Sequence, residues 1–261
     1  MHPDPIMKEG ILSTALKKKL IGHLRANVSA IGFAPVERFV DAPEKHRPTD
    51  ACKDARTVIV FGIPVPRGVF SSPGYHLHTL QRSYHTIYRH LDELSVKLCT
   101  FIESQGNYRS VPVPSYAPMV FHGFEPWGIL SLKHAAVRAG LGAFGRSGQV
   151  YHPKYGSRLR FSAVITSAEL PGDEIIETDP CPPECNACRK ACPSGAFDDK
   201  GSFQKFTCLG YTIKHAIYPL ALKDEVGLKN IERVTNTAGY DYWIACDECL
   251  KVCPNNREAK T

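Results

Sequence analysis

No stretch of this chain is apolar for long enough to cross a bilayer. The longest such run, Thr57–Pro66, is about half of the ~20 residues a spanning helix needs. The N-terminus, Met-His-Pro-Asp-Pro, lacks a basic segment leading into an apolar one, and it lacks a twin arginine. Neither export nor membrane attachment is expected, and the chain reads as cytoplasmic. Low-complexity tracts are missing, and so is any internal repeat apart from two similar cysteine runs. A large charge of either sign is missing too: 32 basic against 26 acidic residues give a net +6. That mild excess permits docking of an acidic electron donor or a phosphate-bearing partner without demanding either.

Cysteine, by contrast, is plentiful, with ten residues in the chain. Eight follow the order Cys181-x3-Cys185-x2-Cys188-x3-Cys192-Pro193, then Cys208, then Cys246-x2-Cys249-x3-Cys253-Pro254. Two runs that each close on Cys-Pro have the spacing of a protein holding two [4Fe–4S] clusters. Each cubane takes four thiolates, and the last cysteine of each run reaches across to the other cluster. The expected sets are therefore Cys181, Cys185, Cys188 and Cys253, and Cys192, Cys208, Cys246 and Cys249. Disulfides would need an oxidising compartment. Structural zinc prefers paired Cys-x2-Cys knuckles and would leave the Cys-x3-Cys-Pro endings unexplained. The first gap, Pro182-Pro183-Glu184, is one residue longer than in the bacterial ferredoxin run and is expected to bulge. Cys52 and Cys99 stand apart, and Cys99, on an apolar helical stripe, reads as core.

Hydrophobic periodicity organises the rest. An amphipathic helix is expected over Ser13–Asn27, and Val28–Ala34 runs into a first strand-like turn. Thr57–Pro64, rich in Val and Ile and bounded by Pro, predicts a buried strand. The strongest helix signal is Leu80–Gln105, closed by Gly106. A short strand over Tyr108–Pro114, a helix over Ser131–Ala139 ending at Gly140, and a buried strand over Phe161–Ser167 follow. Leu170–Pro183, rich in Asp, Glu and Pro, reads as a linker. It divides a mixed α and β part, residues 1–170, from a cluster-bearing part, residues 171–261, with a helix expected over Phe206–Val226. His76-x-His78 could ligate metal from a strand, although nothing in the sequence pairs with it.

The stretch Ala139-Gly140-Leu141-Gly142-Ala143-Phe144-Gly145-Arg146-Ser147-Gly148 carries four glycines. A dinucleotide fingerprint follows a strand and opens a helix; this one ends a helix and leads toward a strand. Two readings stay open. One is a helix cap followed by turns. The other is a close backbone approach to a large planar or phosphate-bearing ligand, which glycine allows because it has no Cβ.

Lys133–Arg146 with Tyr155-Gly156-Ser157 and Leu170-Pro171 resembles epoxyqueuosine reductases. So does the cysteine order, with Tyr211 after Cys208 and Asn255 after Cys253-Pro254. Ser83-Tyr84-His85 is similar to that family's Asp-Tyr-His helix, and Thr57–Gly62 to its first core strand. The resemblance covers residues 13–256. It implies an α+β chain: a nitroreductase-like cobalamin domain followed by a ferredoxin-like domain, as in the related reductive dehalogenases. The implied activity is that of an oxidoreductase. Electrons from a low-potential donor such as ferredoxin or flavodoxin would pass through two clusters to cobalamin, whose reduced cobalt is a strong nucleophile. By resemblance, Gly142, Gly145, Arg146, Ser147, Gly148 and Gln149, with Phe161 and Ser162 on the next strand, would lie along the corrinoid.

Two departures bear on substrate. The family carries an acidic residue about a dozen positions before Ala-Gly-Leu-Gly, where this chain has Pro126. Glu125 is the adjacent candidate proton donor and His134 a second one, to be set against an exposed loop Glu and an ordinary helix-face His. The chain also stops at Thr261, where the family's full-length enzyme continues into helical repeats that help hold tRNA. The expected activity is thus that of a cobalamin-dependent reductase whose substrate is unassigned, with a small molecule or a corrinoid as the partner classes expected. An electron-transfer protein serving a partner's corrinoid is the alternative, and epoxyqueuosine reduction in tRNA a third reading.

Overall fold

A computed structural model describes residues 5–122, 125–215 and 242–257. The fold is α+β. In chain order come α1 (Pro5–Leu24), β1 (Ala30–Pro35), α2 (Pro48–Ala51), β2 (Thr57–Pro64), α3 (Arg67–Phe70) and α4 (His76–Ser104). Then follow β3 (Ser110–Val113), β4 (Val120–His122), β5 (Glu125–Trp127), α5 (Leu132–Arg138), β6 (Ala143–Phe144), β7 (Val150–Tyr151) and β8 (Leu159–Thr166). The cluster-bearing region adds α6 (Ala187–Lys190), α7 (Lys205–Thr212), β9 (Ile213–His215), β10 (Tyr242–Ile244), α8 (Glu248–Lys251) and α9 (Pro254–Arg257).

Four strands form one antiparallel sheet in the order β1-β2-β8-β3. Antiparallel strands usually alternate apolar and polar residues because one face meets water. Here β2 is apolar throughout because both faces are covered. Ile59 and Phe61 pack with Leu20 of α1 and Leu91 and Leu98 of α4. Val58 and Val60 pack with Ala135 and Ala136 of α5. The long helix α4 buries the predicted stripe, including Cys99, but starts at His76 rather than Leu80. His76 and His78 therefore lie on a helix, not a strand, and His76 Nε2 sits 3.6 Å from the buried carboxylate of Asp247.

The acidic, Pro-rich stretch after β8 is a strap. Leu170 is buried in the α1–α4 core. Asp173 accepts a hydrogen bond from the Phe33 backbone N–H and pairs with Lys17. Its polar residues, which suggested a free linker, are used to fasten the chain to α1 and β1.

The helix expected over Phe206–Val226 is shorter. It ends at Thr212, and Ile213–His215 pairs antiparallel with Tyr242–Ile244. Tyr242 and Ile244 then join the α1–α4 core, and the Gln81 side chain on α4 hydrogen-bonds the Ile244 backbone. A β-branched pair at Thr212-Ile213 thus leaves the helix for a partner far along the chain. The remainder of that expectation, residues 216–226, lies outside the described residues.

Candidate redox site

The glycine stretch begins where α5 ends. Ala139 caps the helix, and Gly140 follows with φ +72°, a left-handed conformation that glycine adopts without strain. Strands β6 and β7 pair, and the loop between them closes through a hydrogen bond from the Gly145 N–H to the Gln149 carbonyl at 2.9 Å. Two spaces open beside this loop.

The smaller space is lined by Cys181, Cys185, Cys188 and Cys253, together with Ser147 and Tyr151. Burial pushes the Cys253 thiol up, and the charges of Cys181 and Cys185 act on it in the same direction. Four thiols around one space make the donor set of a cubane. Among the described residues, no three His, Cys, Asp or Glu side chains gather closely enough to hold a single ion. The longer first gap closes by a turn in which the Cys185 N–H donates to the Pro182 carbonyl at 3.2 Å. Glu184, the last residue of that gap, takes a left-handed φ of +56°.

Arg146 fastens this cysteine loop to the glycine loop. Its backbone N–H donates to Cys181 Sγ, and its guanidinium donates to the Pro182 and Cys185 carbonyls at 3.2 and 2.5 Å. Such bonds from a charged donor are each worth about 1.5–3 kcal/mol. Arg146→Ala is therefore expected to cut retention of the first cluster on gel filtration while leaving the secondary structure unchanged by circular dichroism. Full iron retention would show that the cysteines hold their loop unaided.

Cys208 lies on α7, Cys249 on α8 and Cys246 just before α8, while Cys192 follows α6. Cys208 and Cys246 both act on the half-buried Cys249, whose pKa is pushed up to about 12, by burial first. Cys188 acts on Cys249 as well, so the two sets adjoin. Cys192 stands below the ordinary thiol value: burial opposes this, but the Ser194 hydroxyl and the Ala196, Ser194 and Gly195 backbone outweigh it.

The larger space is a cavity of about 850 Å³, near the upper end of the ~300–1,000 Å³ usual for ligand sites. Its wall includes Tyr88, Lys133, Trp127, Arg160, Phe203 and Lys205. Of the residues predicted along a corrinoid, Gly145, Arg146, Gly148, Gln149 and Phe161 line it. Ser162, Ser147 and Gly142 do not. Ser162 is fully buried and donates to the Val113 carbonyl at 3.0 Å. Leu159, Arg160 and Phe161 all line the cavity, whereas Ser162 is turned toward β3. Ser147 faces the smaller, cysteine-lined space and meets the Tyr151 hydroxyl at 3.0 Å.

The glycines serve chain-to-chain packing first. A Cβ on Gly142 would stand 2.4 Å from the Tyr151 carbonyl oxygen, and one on Gly148 would stand 2.4 Å from the Phe203 ring. At Gly145 it would meet the Tyr151 ring at 2.4 Å and Cys181 Sγ at 3.2 Å.

Comparison with known proteins agrees with this geometry. Residues 181–256 match the 4Fe-4S double cluster binding domain family. The epoxyqueuosine reductase of Staphylococcus aureus is 28% identical over 260 residues, which cover 94% of this chain and 59% of that protein. A crystal structure of epoxyqueuosine reductase with an epoxyqueuosine-modified tRNA stem loop superimposes with a TM-score of 0.59 at 21% identity, covering 93% of this chain and 65% of that one. A reductive dehalogenase described in terms of B12-dependent dehalogenation gives a TM-score of 0.59 at 16% identity, covering 94% of this chain and 32% of that one. The chain is epoxyqueuosine reductase-like in sequence and fold. Its cofactors include two [4Fe–4S] clusters. It spans 59% of the length of the Staphylococcus aureus relative. Among the described residues no helix is long and apolar enough to cross a membrane.

In this epoxyqueuosine reductase-like chain the expected acid is displaced. Glu125 is exposed at the first position of β5, opposite His122, and does not line the cavity. The next residues, Pro126 and Trp127, do. His134 stands on the cavity wall, its Nδ1 2.8 Å from the Ser131 hydroxyl, with burial lowering its pKa. Lys133 and Arg160 were not singled out from the sequence. A basic residue inside a buried apolar strand, as at Leu159-Arg160-Phe161, was the available signal.

Proposed function

We propose that this chain is a cobalamin-dependent iron–sulfur reductase of the epoxyqueuosine reductase kind, working in the cytoplasm with ferredoxin or flavodoxin as donor. The observation that carries the proposal is that Arg146 borders both spaces, the cysteine-lined one and the large cavity. Electron carriers and reaction site would thus share a wall one residue thick. A cavity of about 850 Å³ is large for a ligand site, which supports a ligand as large as a corrinoid. Its wall also holds three buried polar atoms without a hydrogen-bond partner among the described residues, Ser115 Oγ, Trp127 Nε1 and Arg160 Nε, which suit the amides of a corrinoid rim. Residues Gly145, Gly148, Gln149 and Phe161 would hold it, and bound there it would supply a two-electron reductant.

The substrate best supported by the relatives is epoxyqueuosine in tRNA. Deoxygenation of an epoxide takes two electrons and two protons, turns the ring carbons into an alkene and releases the oxygen as water. The electrons would arrive singly through the clusters. The chain's own part is to exclude water behind Trp127 and Phe203 and to orient the ligand with Lys133 and Arg160. The test is anaerobic: reconstituted protein, cobalamin, a low-potential donor and epoxyqueuosine-containing tRNA, followed by nucleoside mass spectrometry. Queuosine at catalytic yield is expected. Cobalamin retention without queuosine would move the substrate to a small molecule.

An electron-carrier reading is favoured by one observation, the exposed position of Glu125. On either reading Glu125→Gln is expected to change turnover by less than about threefold, well below the ~10²–10⁴ of a general acid. A loss of a hundredfold would require the hairpin β4–β5 to turn Glu125 inward during turnover.

A further inference from the structure

The cavity wall is rich in cations and poor in carboxylates. Among the described residues Asp41 is the one carboxylate lining it, and Arg138 already bridges that group at 2.6 Å. Lys133, Arg160 and Lys205 share the wall. Burial lowers the Lys205 pKa, and Glu125 nearby opposes that. Among the described residues, no carboxylate pairs with Lys133 or Arg160. The Lys133 ammonium donates to the Gly148 carbonyl at 3.0 Å. The Arg160 guanidinium donates to the Ser157 carbonyl at 2.7 Å and lies over the Tyr84 ring at 4.8 Å. These are neutral partners. Two half-buried cations held side by side by neutral groups repel each other and need a counter-charge.

That counter-charge lies behind the wall. Lys205 opens α7, and Cys208 follows one turn later on the same helix. Lys205 stands over the Trp127 ring at 3.7 Å, and Phe206 packs on the same ring, so α7 lies against the cavity wall. Burial and the neighbouring Arg160 lower the Lys133 pKa to about 8, the charges of Cys208 and Cys249 oppose them, and Cys249 acts likewise on Arg160. In the two-cluster reading, on which this inference rests, these thiols belong to one cubane carrying net negative charge.

We propose that Lys133 and Arg160 form a positive wall between the cavity and the cluster held by Cys208, Cys246 and Cys249, and that their charge raises the reduction potential of that cluster relative to its neighbour. The physical reason is Coulombic. Reduction adds one negative charge, and a cation nearby in a medium of low polarity stabilises the reduced state. Net charge and solvent exposure are among the main determinants of cluster potentials. The first cluster lies beside Arg146, whose guanidinium is already shared among Asp179 and two carbonyls. An electron entering the pair would then settle on the cluster that faces Lys133.

The experiment is a redox titration of the reconstituted two-cluster protein, without corrinoid or substrate, followed by electron paramagnetic resonance. Lys133→Met removes the charge at similar length. One of the two potentials is expected to fall by at least a tenfold change in its reduction equilibrium, about 59 mV for one electron, while the other stays put. Lys133→Arg should restore it. Arg160→Met should move the same cluster in the same direction. Two unchanged potentials, or two that shift equally, would overturn the proposal. If Lys133→Met loses one cluster and Lys133→Arg keeps both, the charge holds that cluster in place and the proposal stands. If both variants lose it, shape rather than charge is responsible and the proposal fails. Wild-type protein that never takes up two clusters would instead defeat the reading beneath it.

Discussion

Gly145→Val is expected to leave the protein with about four irons per chain instead of about eight. A Cβ at this position would come 2.4 Å from the Tyr151 ring and 3.2 Å from Cys181 Sγ, and valine adds two more methyl groups. Neither neighbour can yield easily. Tyr151 is buried, its ring lies in β7, and its hydroxyl meets Ser147 at 3.0 Å. Cys181 is held by the Arg146 N–H and by its own N–H donating to Asp179 at 2.8 Å. The strain therefore falls on the cysteine-lined space. Overpacking costs of this kind run to about 1–3 kcal/mol, enough to displace one thiolate without unfolding the sheet. Iron and acid-labile sulfide assays, with circular dichroism as the control for folding, decide the matter. Gly22→Ala, where an added Cβ meets nothing within 4 Å, is the matched substitution expected to keep all the iron. Full iron in Gly145→Val would mean that the loop moves freely and that the glycine serves the large cavity alone.

This outcome bears on how far the sequence could be read. The cysteine spacing was legible because ligand geometry is local: two- and three-residue gaps are fixed by how far a thiolate can reach. The central strand Thr57–Pro64 and helix α4 were legible because burial on one or both faces imposes a period that survives in the sequence. The glycine stretch was legible as a place of close approach but not as an approach to what. Gly142, Gly145 and Gly148 meet Tyr151, Cys181 and Phe203, and the last two lie more than thirty residues away. The end of α7 was hidden for the same reason, since Ile213 leaves the helix to pair with Ile244. Lys133 escaped notice because its weight comes from what stands around it, the Arg160 guanidinium and the thiols behind the wall. Phe161 and Ser162 show the limit of carrying over a run of adjacent residues from a family, because Ser162 spends its hydroxyl on the Val113 carbonyl of β3 instead of the cavity.

Cys208→Ala should bring the iron content to about four per chain, with the remaining cluster intact. The sequence assigns this cysteine to the set with Cys192, Cys246 and Cys249 although it stands apart from both runs. The fold gives it a position. The Phe197–Phe203 bridge turns the chain into α7, which presents Cys208 one turn after Lys205 at the cavity wall. From there it acts on Cys249, together with Cys246. Alanine removes one of four thiolates and leaves the helix its best former, so the loss is chemical rather than structural. The surviving cluster should be the one lined by Cys181, Cys185, Cys188 and Cys253, because that space is closed by Arg146 and Tyr151 and does not involve α7. The consequence for function is larger than the iron count suggests. If the cluster behind Lys133 is where an electron settles before entering the cavity, its loss should stop reduction there while ligand binding to the cavity persists. Gel filtration with cobalamin and a single-turnover reduction assay separate the two. Iron near eight with an unchanged reduced spectrum would remove Cys208 from the ligand set. Loss of both clusters would show that the two are built as one unit, joined where Cys188 meets Cys249.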